Sequence, residues 1–280
     1  MKLVAYQTEH TEGLGAVLPD GRIAVLPWPD FDALLRETDP TGALDAIDIH
    51  NAPVVENARR LPPTVRRPHV IGTGGNYPDH AKEASVEIDI VEPVFVPFLW
   101  GAIIGPDDDI RIPTPDTLTD YEVELAIVIG RKASRLTREN AMEHVFGYTI
   151  VNDVSARNVT KRERMQMMLS KSPDTFLPIG PHVVTADEIA DPGALKIRSY
   201  VNGVARQNSS TANMSTGIAD LLVTVTESVT LHPGDILTTG TPGGVGYFRT
   251  PPEFVHPGDT VSVEVESIGR MDNRVTAGWA

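Results

Sequence analysis

The chain has 280 residues, which is long for one compact domain and short for three. Its 24 basic and 38 acidic residues give a formal net charge of −14, so nucleic acid and a membrane surface are not expected as partners. Cysteine is absent, which excludes disulfides, thiolate metal sites and a cysteine nucleophile. The longest uncharged apolar run, residues 93–106, is too short to span a bilayer, and the first residues show no signal-peptide pattern, so we expect a cytoplasmic protein.

The first part of the chain predicts a small α+β unit. Leu3–Tyr6 forms a strand, a hairpin turns at Asp20-Gly21, and Asp30 caps a short helix. A proline-rich segment then favours neither a helix nor a central strand, which marks a linker. The predicted division is an N-terminal domain at 1–62, a linker at 63–68 and a main domain at 69–280.

In the main domain, many turn signals separate short apolar segments, as is typical of a strand-rich fold. The pattern predicts a strand over Asp120–Gly130, a helix from Thr137 to Phe146, a charged surface helix over Ser155–Leu169 and another helix over Ser215–Val229.

A short repeat, His-Pro-Gly-Asp, occurs at 232–235 and again at 256–259. Proline followed by glycine suits the central positions of a type II turn, so both copies predict a turn that leads into a strand. We assign no chemistry to the two histidines.

The strand over 120–130 carries two acids. Side chains alternate across a strand, so Glu122 and Glu124 share one face, which continues as apolar residues. Two like charges in such a setting repel and resist desolvation, and a hard cation such as Mg²⁺, Mn²⁺ or Ca²⁺ would relieve both effects. The alternative is that the strand begins in water and both carboxylates are solvated.

A third acid, Asp153, stands where the apolar strand Tyr148 to Val151 ends. Two acids from one strand and one from a strand end could surround a single Mg²⁺, with water at the remaining positions. The alternative for a lone Asp at this point is a helix cap.

His80 and Glu83 are spaced i, i+3, which on a helical turn places them on one face. A carboxylate beside a histidine raises its basicity and fixes its tautomer, as a general base requires. The alternative is a surface turn without function. Lys171 offers a cation for an anionic substrate group, and the glycines of 240–246 allow either close approach of backbone to a ligand or a tight turn.

A series of short motifs stands in one order between residues 72 and 246. They are Gly72-Thr73-Gly74, Asn76-Tyr77, His80-x-x-Glu83, Asp120-Tyr121-Glu122-Val123-Glu124-Leu125, Gly147-Tyr148-Thr149, Asn152-Asp153-Val154-Ser155-Ala156-Arg157, Lys171-Ser172-x-Asp174, Gly180-Pro181, Val201-Asn202-Gly203, Pro233-Gly234-Asp235 and Thr239-Gly240-Thr241-Pro242-x-Gly244-Val245-Gly246. Together they resemble the fumarylacetoacetate hydrolase family, and a looser similarity continues to about Gly269.

The resemblance implies a mainly β fold with some α-helix: a mixed β-sandwich roll behind the small N-terminal α+β domain, usually as a homodimer. It also implies that Glu122, Glu124 and Asp153 bind one Mg²⁺ or Mn²⁺. His80 with Glu83 would activate water on a short lid helix. Since the residues after Glu83 have weak helix periodicity, we expect a lid over about 78–91 that is loose without ligand and closed with it.

We further expect a catalytic role for Lys171, which would contact a small anionic 2-oxo acid substrate. The other expected substrate contacts are Tyr77, Gln166, Gly240 and Thr241.

Three positions depart from the family pattern. Thr73 stands where the branch that cleaves fumarylacetoacetate has a fourth acidic ligand, which places the chain with the shorter three-ligand members. Lys171 follows Gln166-Met167-Met168-Leu169-Ser170 without the usual tryptophan, and the segment Phe98-Leu99-Trp100-Gly101 lacks a lysine.

The leading interpretation is a metal-dependent hydrolase that cleaves a C–C bond in an acylpyruvate-type 2,4-dioxo acid through an enolate. The alternative is decarboxylation of oxaloacetate, or isomerisation or hydration of an unsaturated 2-oxo diacid, which needs the same metal and enolate. A non-catalytic metal- or ligand-binding β protein is the rival of another class. A cupin-type oxygenase is disfavoured because the chain has no His-x-His.

Overall fold

The computed structural model describes residues 1–83, 93–160 and 166–278. Its α-helices are α1 (Phe31–Leu35), α2 (Pro40–Asp45), α3 (Pro78–Glu83), α4 (Arg157–Thr160), α5 (Met167–Lys171) and α6 (Ile218–Ser228). Short 3₁₀ helices lie at Trp100–Ala102, Ala141–His144, Ala186–Glu188, Pro192–Ala194, Thr211–Asn213 and Gly246–Phe248. Among these helices of the described chain, none is long and apolar enough to cross a membrane.

Strands dominate the structure. They are β1 (Lys2–Gln7), β2 (Glu12–Val17), β3 (Ile23–Val25), β4 (Val54–Val55), β5 (Arg59–Leu61), β6 (Val70–Gly74), β7 (Val94–Phe98), β8 (Ile103–Ile104), β9 (Ile110–Ile112), β10 (Thr119–Asp120), β11 (Val123–Ile129), β12 (Val145–Asn152), β13 (Ser155–Ala156), β14 (Leu177–Thr185), β15 (Lys196–Val201), β16 (Val204–Ser210), β17 (Ile236–Thr238), β18 (Thr260–Val265) and β19 (Gly269–Ala277).

Most of these strands form one large sheet. Its order is β4-β3-β2-β1-β14-β12-β11-β17-β6-β7, with β5 beside β1 and β8 beside β14. A smaller sheet has the order β16-β15-β18-β19-β9, and β10 pairs with β13. The predicted fold class, mainly β with some α-helix, is confirmed.

The central strand β11 is buried at every residue, as the apolar pattern of both its faces predicts. Leu125 and Ile127 point into a core shared with the smaller sheet and α6. Ala126 and Val128 point into a second core, against α1 and the first strands. Glu124 lies at the start of this strand, on the face of Ala126, and Glu122 immediately precedes the strand. Both glutamates are therefore held inside the protein rather than at its surface.

The N-terminal strands continue the large sheet. β1 pairs antiparallel with β14, with Leu3 opposite Val183. The predicted hairpin is present as β2 and β3, and Asp30 caps α1 by accepting from the Ala33 N–H at 2.8 Å. Segment 63–68 contains neither helix nor strand, in agreement with a linker. The division into domains at this point stays a prediction, since strands on both of its sides share one sheet.

One predicted helix is wrong, and another begins later than predicted. The segment after Thr137 forms a turn and then the 3₁₀ helix Ala141–His144, and the chain enters β12 at Val145. Val145 pairs with Ile129, so strand pairing overrides the local helix signal. The predicted surface helix over 155–169 begins two residues late, since 155–156 form β13 and α4 begins at Arg157. Residues 161–165 of this prediction lie outside the described part of the chain, and α5 then extends from Met167 to Lys171.

The predicted strand over 120–130 is also divided. Thr119 and Asp120 pair with β13, whereas β11 begins at Val123. An uninterrupted strand would place Tyr121 on the same face as Val123, but Tyr121 packs in a separate cluster. The last predicted helix is confirmed as α6, which begins three residues later than expected.

Candidate active site

Three carboxylates converge where β11 begins and β12 ends. The two strands are antiparallel neighbours with Val123 opposite Asn152, and the Asp153 N–H donates to the Glu122 carbonyl at 2.8 Å. One oxygen each from Glu122, Glu124 and Asp153 lies within 4.8 Å of the others. All three residues are at most 5% exposed, so the alternative of a solvated strand start is wrong.

Two buried cations face this triad. Lys171 Nζ donates to Glu122 Oε2 and to Asp153 Oδ2, both at 2.6 Å. Arg157 Nη2 donates to Glu122 Oε1 at 2.5 Å, and Arg157 Nε donates to Asp120 Oδ2 at 2.8 Å. With Asp120 included, four carboxylates face two cations, which leaves two negative charges when all are ionised. One divalent cation would balance them.

The triad carries unequal pKa values. Burial and the charges of Asp153 and Glu122 raise the pKa of Glu124 well above its ordinary range. Burial raises the pKa of Asp153 to about 7, although Lys171 opposes the shift. Burial would also raise the pKa of Glu122, but the charges of Lys171 and Arg157 outweigh burial and lower it. Glu124 and Asp153 are therefore the two carboxylates whose negative charge the neighbouring cations do not fully balance.

The residues present fit a hard divalent cation. Asp153 Oδ1 is buried and has no hydrogen-bond partner among the described residues. Oxygen-only donors favour Mg²⁺, Mn²⁺ or Ca²⁺ over softer ions. A buried acceptor without a partner, next to repelling carboxylates, is the environment that such an ion stabilises.

His80 and Glu83 lie together on α3, as their spacing predicts. His80 Nδ1 is 3.6 Å from Glu83 Oε2, an ion-pair distance that is too long for a hydrogen bond. The His80 ring meets the Phe248 ring edge to face, with centroids 5.8 Å apart. The other carboxylate oxygen of Glu83 is fixed by the glycine-rich loop, because the Gly244 N–H donates to Oε1 at 2.6 Å. Of the lid predicted over 78–91, residues 84–91 lie outside the described part of the chain.

The glycine-rich loop 240–246 holds three carboxylates through backbone N–H groups. These bonds run from Gly240 to Glu124 Oε2 at 3.0 Å, from Gly244 to Glu83 Oε1 at 2.6 Å and from Gly246 to Asp120 Oδ1 at 2.7 Å. Gly244 has φ +106°, and an added Cβ would lie 2.3 Å from the Arg206 carbonyl oxygen. Close backbone approach is thus required here, to the Arg206 backbone at Gly244 and to an acid at Gly246, where an added Cβ would lie 2.8 Å from Asp120 Oδ1.

A cavity of about 170 Å³ joins these groups. Its polar wall consists of Glu122, Glu124, Asp153, Lys171, Arg157, His80 and Thr241. Its other wall consists of the segment Gly72–Gly75 and the side chains of Val96, Phe98 and Met167. The predicted metal ligands and catalytic residues, apart from Glu83, therefore line one cavity.

The four expected substrate contacts are placed differently. Thr241 lines the cavity, but its hydroxyl already donates to the Val123 carbonyl at 2.9 Å and accepts from Gln207 at 2.7 Å. Tyr77 is fully buried and does not line the cavity, and burial together with the charge of Glu124 raises its pKa. The other two, Gln166 and Gly240, do not line the cavity either. Gln166 immediately precedes α5, and the Gly240 N–H donates to Glu124. Their contact with substrate stays a prediction.

Sequence reasoning missed the role of Arg157 and Asp120. Arg157 was assigned to a solvent-exposed helix, yet its side chain is 11% exposed and connects Asp120 to Glu122. Asp120 also accepts the N–H groups of Gly246 and Tyr247 at 2.7 and 3.0 Å. The available signal was a cation four residues after Asp153, next to an acidic cluster that needed balancing charge.

The comparisons with known proteins identify the class. Residues 69–276 match the family described as fumarylacetoacetate (FAA) hydrolase C-terminal. The chain belongs to this family, as its motifs predicted. It is 44% identical to the human mitochondrial oxaloacetate tautomerase FAHD2B over 77% of this chain and 68% of that protein. It is also 41% identical to the oxaloacetate tautomerase YisK of Bacillus subtilis (strain 168), over 98% of this chain and all of that protein.

Solved structures confirm the predicted fold. A fumarylacetoacetate hydrolase from psychrophilic Exiguobacterium antarcticum superimposes with a TM-score of 0.87 and 36% identity over 99% of each chain. The maleylpyruvate hydrolase of Sphingobium sp. SYK-6, solved with manganese(II) and pyruvate, gives a TM-score of 0.82 and 28% identity over the whole of both chains. The mixed β-sandwich roll of the family is therefore the fold of this chain.

Proposed function

We propose that this protein is a divalent-metal-dependent tautomerase that interconverts the keto and enol forms of a small 2-oxo diacid of the oxaloacetate type. The observation that carries the proposal is the cavity that joins a carboxylate triad, Lys171, Arg157 and His80. Two relatives named oxaloacetate tautomerase, one of them matched over 98% of this chain, favour this substrate class.

Glu122, Glu124 and Asp153 would hold the metal, for which Mg²⁺ and Mn²⁺ are both suitable. When bound, the ion would chelate the 2-oxo carboxylate end of the substrate, and its positive charge would stabilise an enolate. The manganese and pyruvate in the structure of the maleylpyruvate hydrolase support this choice of ion and of substrate end.

His80 and Lys171 provide the remaining groups that the reaction needs. In the proposed step His80 removes a proton from C3, and the C–H electron pair forms the C2=C3 bond as the carbonyl electrons move to oxygen. Return of the proton to that oxygen gives the enol, so the balance requires no water and no other reactant. Lys171, in the same cavity wall, neutralises a substrate carboxylate, which an acidic protein would otherwise repel.

Hydrolytic C–C cleavage of an acylpyruvate is the second candidate, and the His80–Glu83 pair is the observation in its favour. A histidine beside a carboxylate is the arrangement expected for the activation of water. The similarity to a maleylpyruvate hydrolase gives the same class of substrate. Both candidates need the same metal and the same enolate, so they differ only in whether water attacks.

The two candidates are separated by three assays on the purified chain with Mn²⁺. We expect the ultraviolet absorbance of freshly dissolved enol-oxaloacetate to decay well above the buffer rate, with no matching formation of pyruvate and no cleavage of acetylpyruvate. Glu122→Gln should abolish the acceleration, and Glu227→Gln, which alters an exposed acid of α6, should not. Cleavage of acetylpyruvate with an unchanged enol decay would overturn the tautomerase and establish the hydrolase.

The homodimer and the cytoplasmic location implied above stay predictions. Light scattering on the purified chain measures the first directly.

A further inference from the structure

A second group of metal-ligand side chains lies away from the cavity, where the linker meets the main sheet. His69 immediately precedes β6, and His232 and Asp235 form the turn that precedes β17. The two strands are parallel neighbours with Val70 opposite Ile236. This pairing brings His69 beside the turn although 166 residues separate it from Asp235.

The three side chains are spaced as ligands of one ion. Asp235 Oδ2 lies 3.3 Å from His69 Nδ1 and 3.8 Å from His232 Nδ1, and one ligand atom from each residue lies within 4.8 Å of the others. Metal–ligand bonds of about 2.0–2.1 Å place the corners of a tetrahedron about 3.3 Å apart. The separation of 3.3 Å, at which His69 Nδ1 and Asp235 Oδ2 form a hydrogen bond, equals this value, and the separation of 3.8 Å is about 0.5 Å longer.

The backbone fixes the carboxylate in this position. The His69 N–H donates to Asp235 Oδ1 at 2.9 Å, and the His232 N–H donates to Oδ2 at 2.7 Å. The Asp235 N–H closes the turn on the His232 carbonyl at 3.0 Å. Both histidines thus anchor the acid through their backbones, and their rings are 72% and 58% exposed. An ion would replace the hydrogen bond that joins His69 Nδ1 and Asp235 Oδ2 at 3.3 Å.

The repeated turn at 256–259 shows what the additional histidine contributes. There the His256 N–H donates to Asp259 Oδ2 at 2.8 Å, as in the first copy. However, the other oxygen of Asp259 accepts from Asn202 Nδ2 at 2.7 Å, and within the described residues no third ligand-type side chain completes a group. The turn alone therefore makes no site, and His69 distinguishes the two copies.

We propose that His69, His232 and Asp235 bind one divalent transition-metal ion of the Zn²⁺ class, with a fourth position left for water or another ligand. Imidazole nitrogen with one carboxylate suits Zn²⁺, whereas the oxygen-only set in the cavity suits Mg²⁺ or Mn²⁺. The ion would connect the end of the linker to the β17 turn and so stabilise the junction between β6 and β17.

The test is a titration of Zn²⁺ into the full-length, untagged chain in excess Mg²⁺, followed by calorimetry. We expect His69→Ala and His232→Ala to bind Zn²⁺ at this site at least about tenfold more weakly than the unmodified chain. His256→Ala is the matched control, since it alters the same turn where no third ligand is present. It should bind as tightly as the unmodified chain.

A second measurement does not depend on variants. On addition of Zn²⁺, the imidazole signals of two of the eight histidines should shift in a ¹H–¹³C spectrum. In either alanine variant, neither of these two shifts should occur. Equal Zn²⁺ affinity in His69→Ala and the unmodified chain would overturn the proposal. An equal loss in His256→Ala would also overturn it, because binding would then follow surface histidines in general.

Discussion

The molecule contains two triads of ligand-type side chains that solve the problem of charge in opposite ways. The triad of the cavity, Glu122, Glu124 and Asp153, is buried and carries repelling charges that Lys171 and Arg157 balance only in part. The triad at the β6–β17 junction has two exposed imidazoles and one carboxylate that backbone N–H groups already satisfy. An ion would complete the electrostatics of the first site, whereas the proposed ion of the second site would add charge where none is required. Loss of the ion should therefore affect the two regions very differently.

The largest expected effect is at the buried triad. Glu122→Gln or Asp153→Asn keeps the shape of the side chain but removes the negative charge of a metal ligand. We therefore expect activity to fall about 100-fold or more. Thermal melts should show the unmodified chain gaining stability with Mn²⁺ and the variants gaining little. Glu227→Gln is the exposed control. Equal activity and equal melting temperature of the unmodified chain in EDTA and in Mn²⁺ would contradict a metal in the cavity.

The next effect concerns the pH dependence of stability, for which a buried histidine is compared with an exposed one. His182 is 8% exposed and its Nε2–H donates to the Ile268 carbonyl at 2.6 Å; burial lowers its pKa from 6.5 to about 4. Below pH 6.5 the unfolded chain takes up a proton that the folded chain does not, so the stabilising contribution of His182 is complete above pH 6.5. It is lost as the pH falls to about 4. The loss corresponds to about 3 kcal/mol.

Urea unfolding between pH 4 and 7 measures this effect as the difference between the unmodified chain and His182→Gln. The variant should lose less stability on acidification, whereas His256→Gln, at an imidazole 75% exposed, should follow the unmodified chain. Parallel pH curves for the unmodified chain and His182→Gln would show that this histidine does not contribute.

Sequence patterns predicted the buried triad because alternation along one strand is a local signal. Two acids at even spacing inside an apolar segment already indicate a shared face, and Asp153 follows the neighbouring strand. The junction triad has no such signal. His69 meets Asp235 only because β6 and β17 pair in parallel, and such a register between distant segments is not encoded in either segment alone.

Arg157 illustrates a second limit. A charged residue in a charged stretch normally predicts a solvated helix, and that expectation placed Arg157 outside the site. In the structure, Asp120 and Glu122 pair with its guanidinium, which makes burial favourable. Local composition predicts only that a charged residue is usually exposed. Here the acidic partners of Arg157 determine that it is buried.

A smaller effect tests whether Lys171 and a metal ion compete for the same carboxylate oxygens. Lys171 Nζ lies 2.6 Å from both Glu122 Oε2 and Asp153 Oδ2. Removal of its charge leaves the triad more negative, so Lys171→Met should bind Mn²⁺ about tenfold more tightly. Calorimetry measures the affinity, with Lys196→Met, at a side chain 62% exposed, as the control. Weaker or unchanged Mn²⁺ binding would show that Lys171 does not compete.

The smallest effect concerns Glu83, which contacts both His80 and the glycine-rich loop. Glu83→Gln retains an oxygen for the Gly244 N–H, which donates at 2.6 Å, but removes the charge 3.6 Å from His80 Nδ1. Glu83→Ala removes both interactions. If Glu83 acts on His80, both variants should lose activity to a similar extent, about tenfold. In addition, combining Glu83→Gln with His80→Gln should cost less than the sum of the two single losses, since the effect of Glu83 then requires His80. Full activity of Glu83→Gln with a loss in Glu83→Ala would instead assign Glu83 to anchoring the loop. Full activity of His80→Gln would remove His80 from the mechanism.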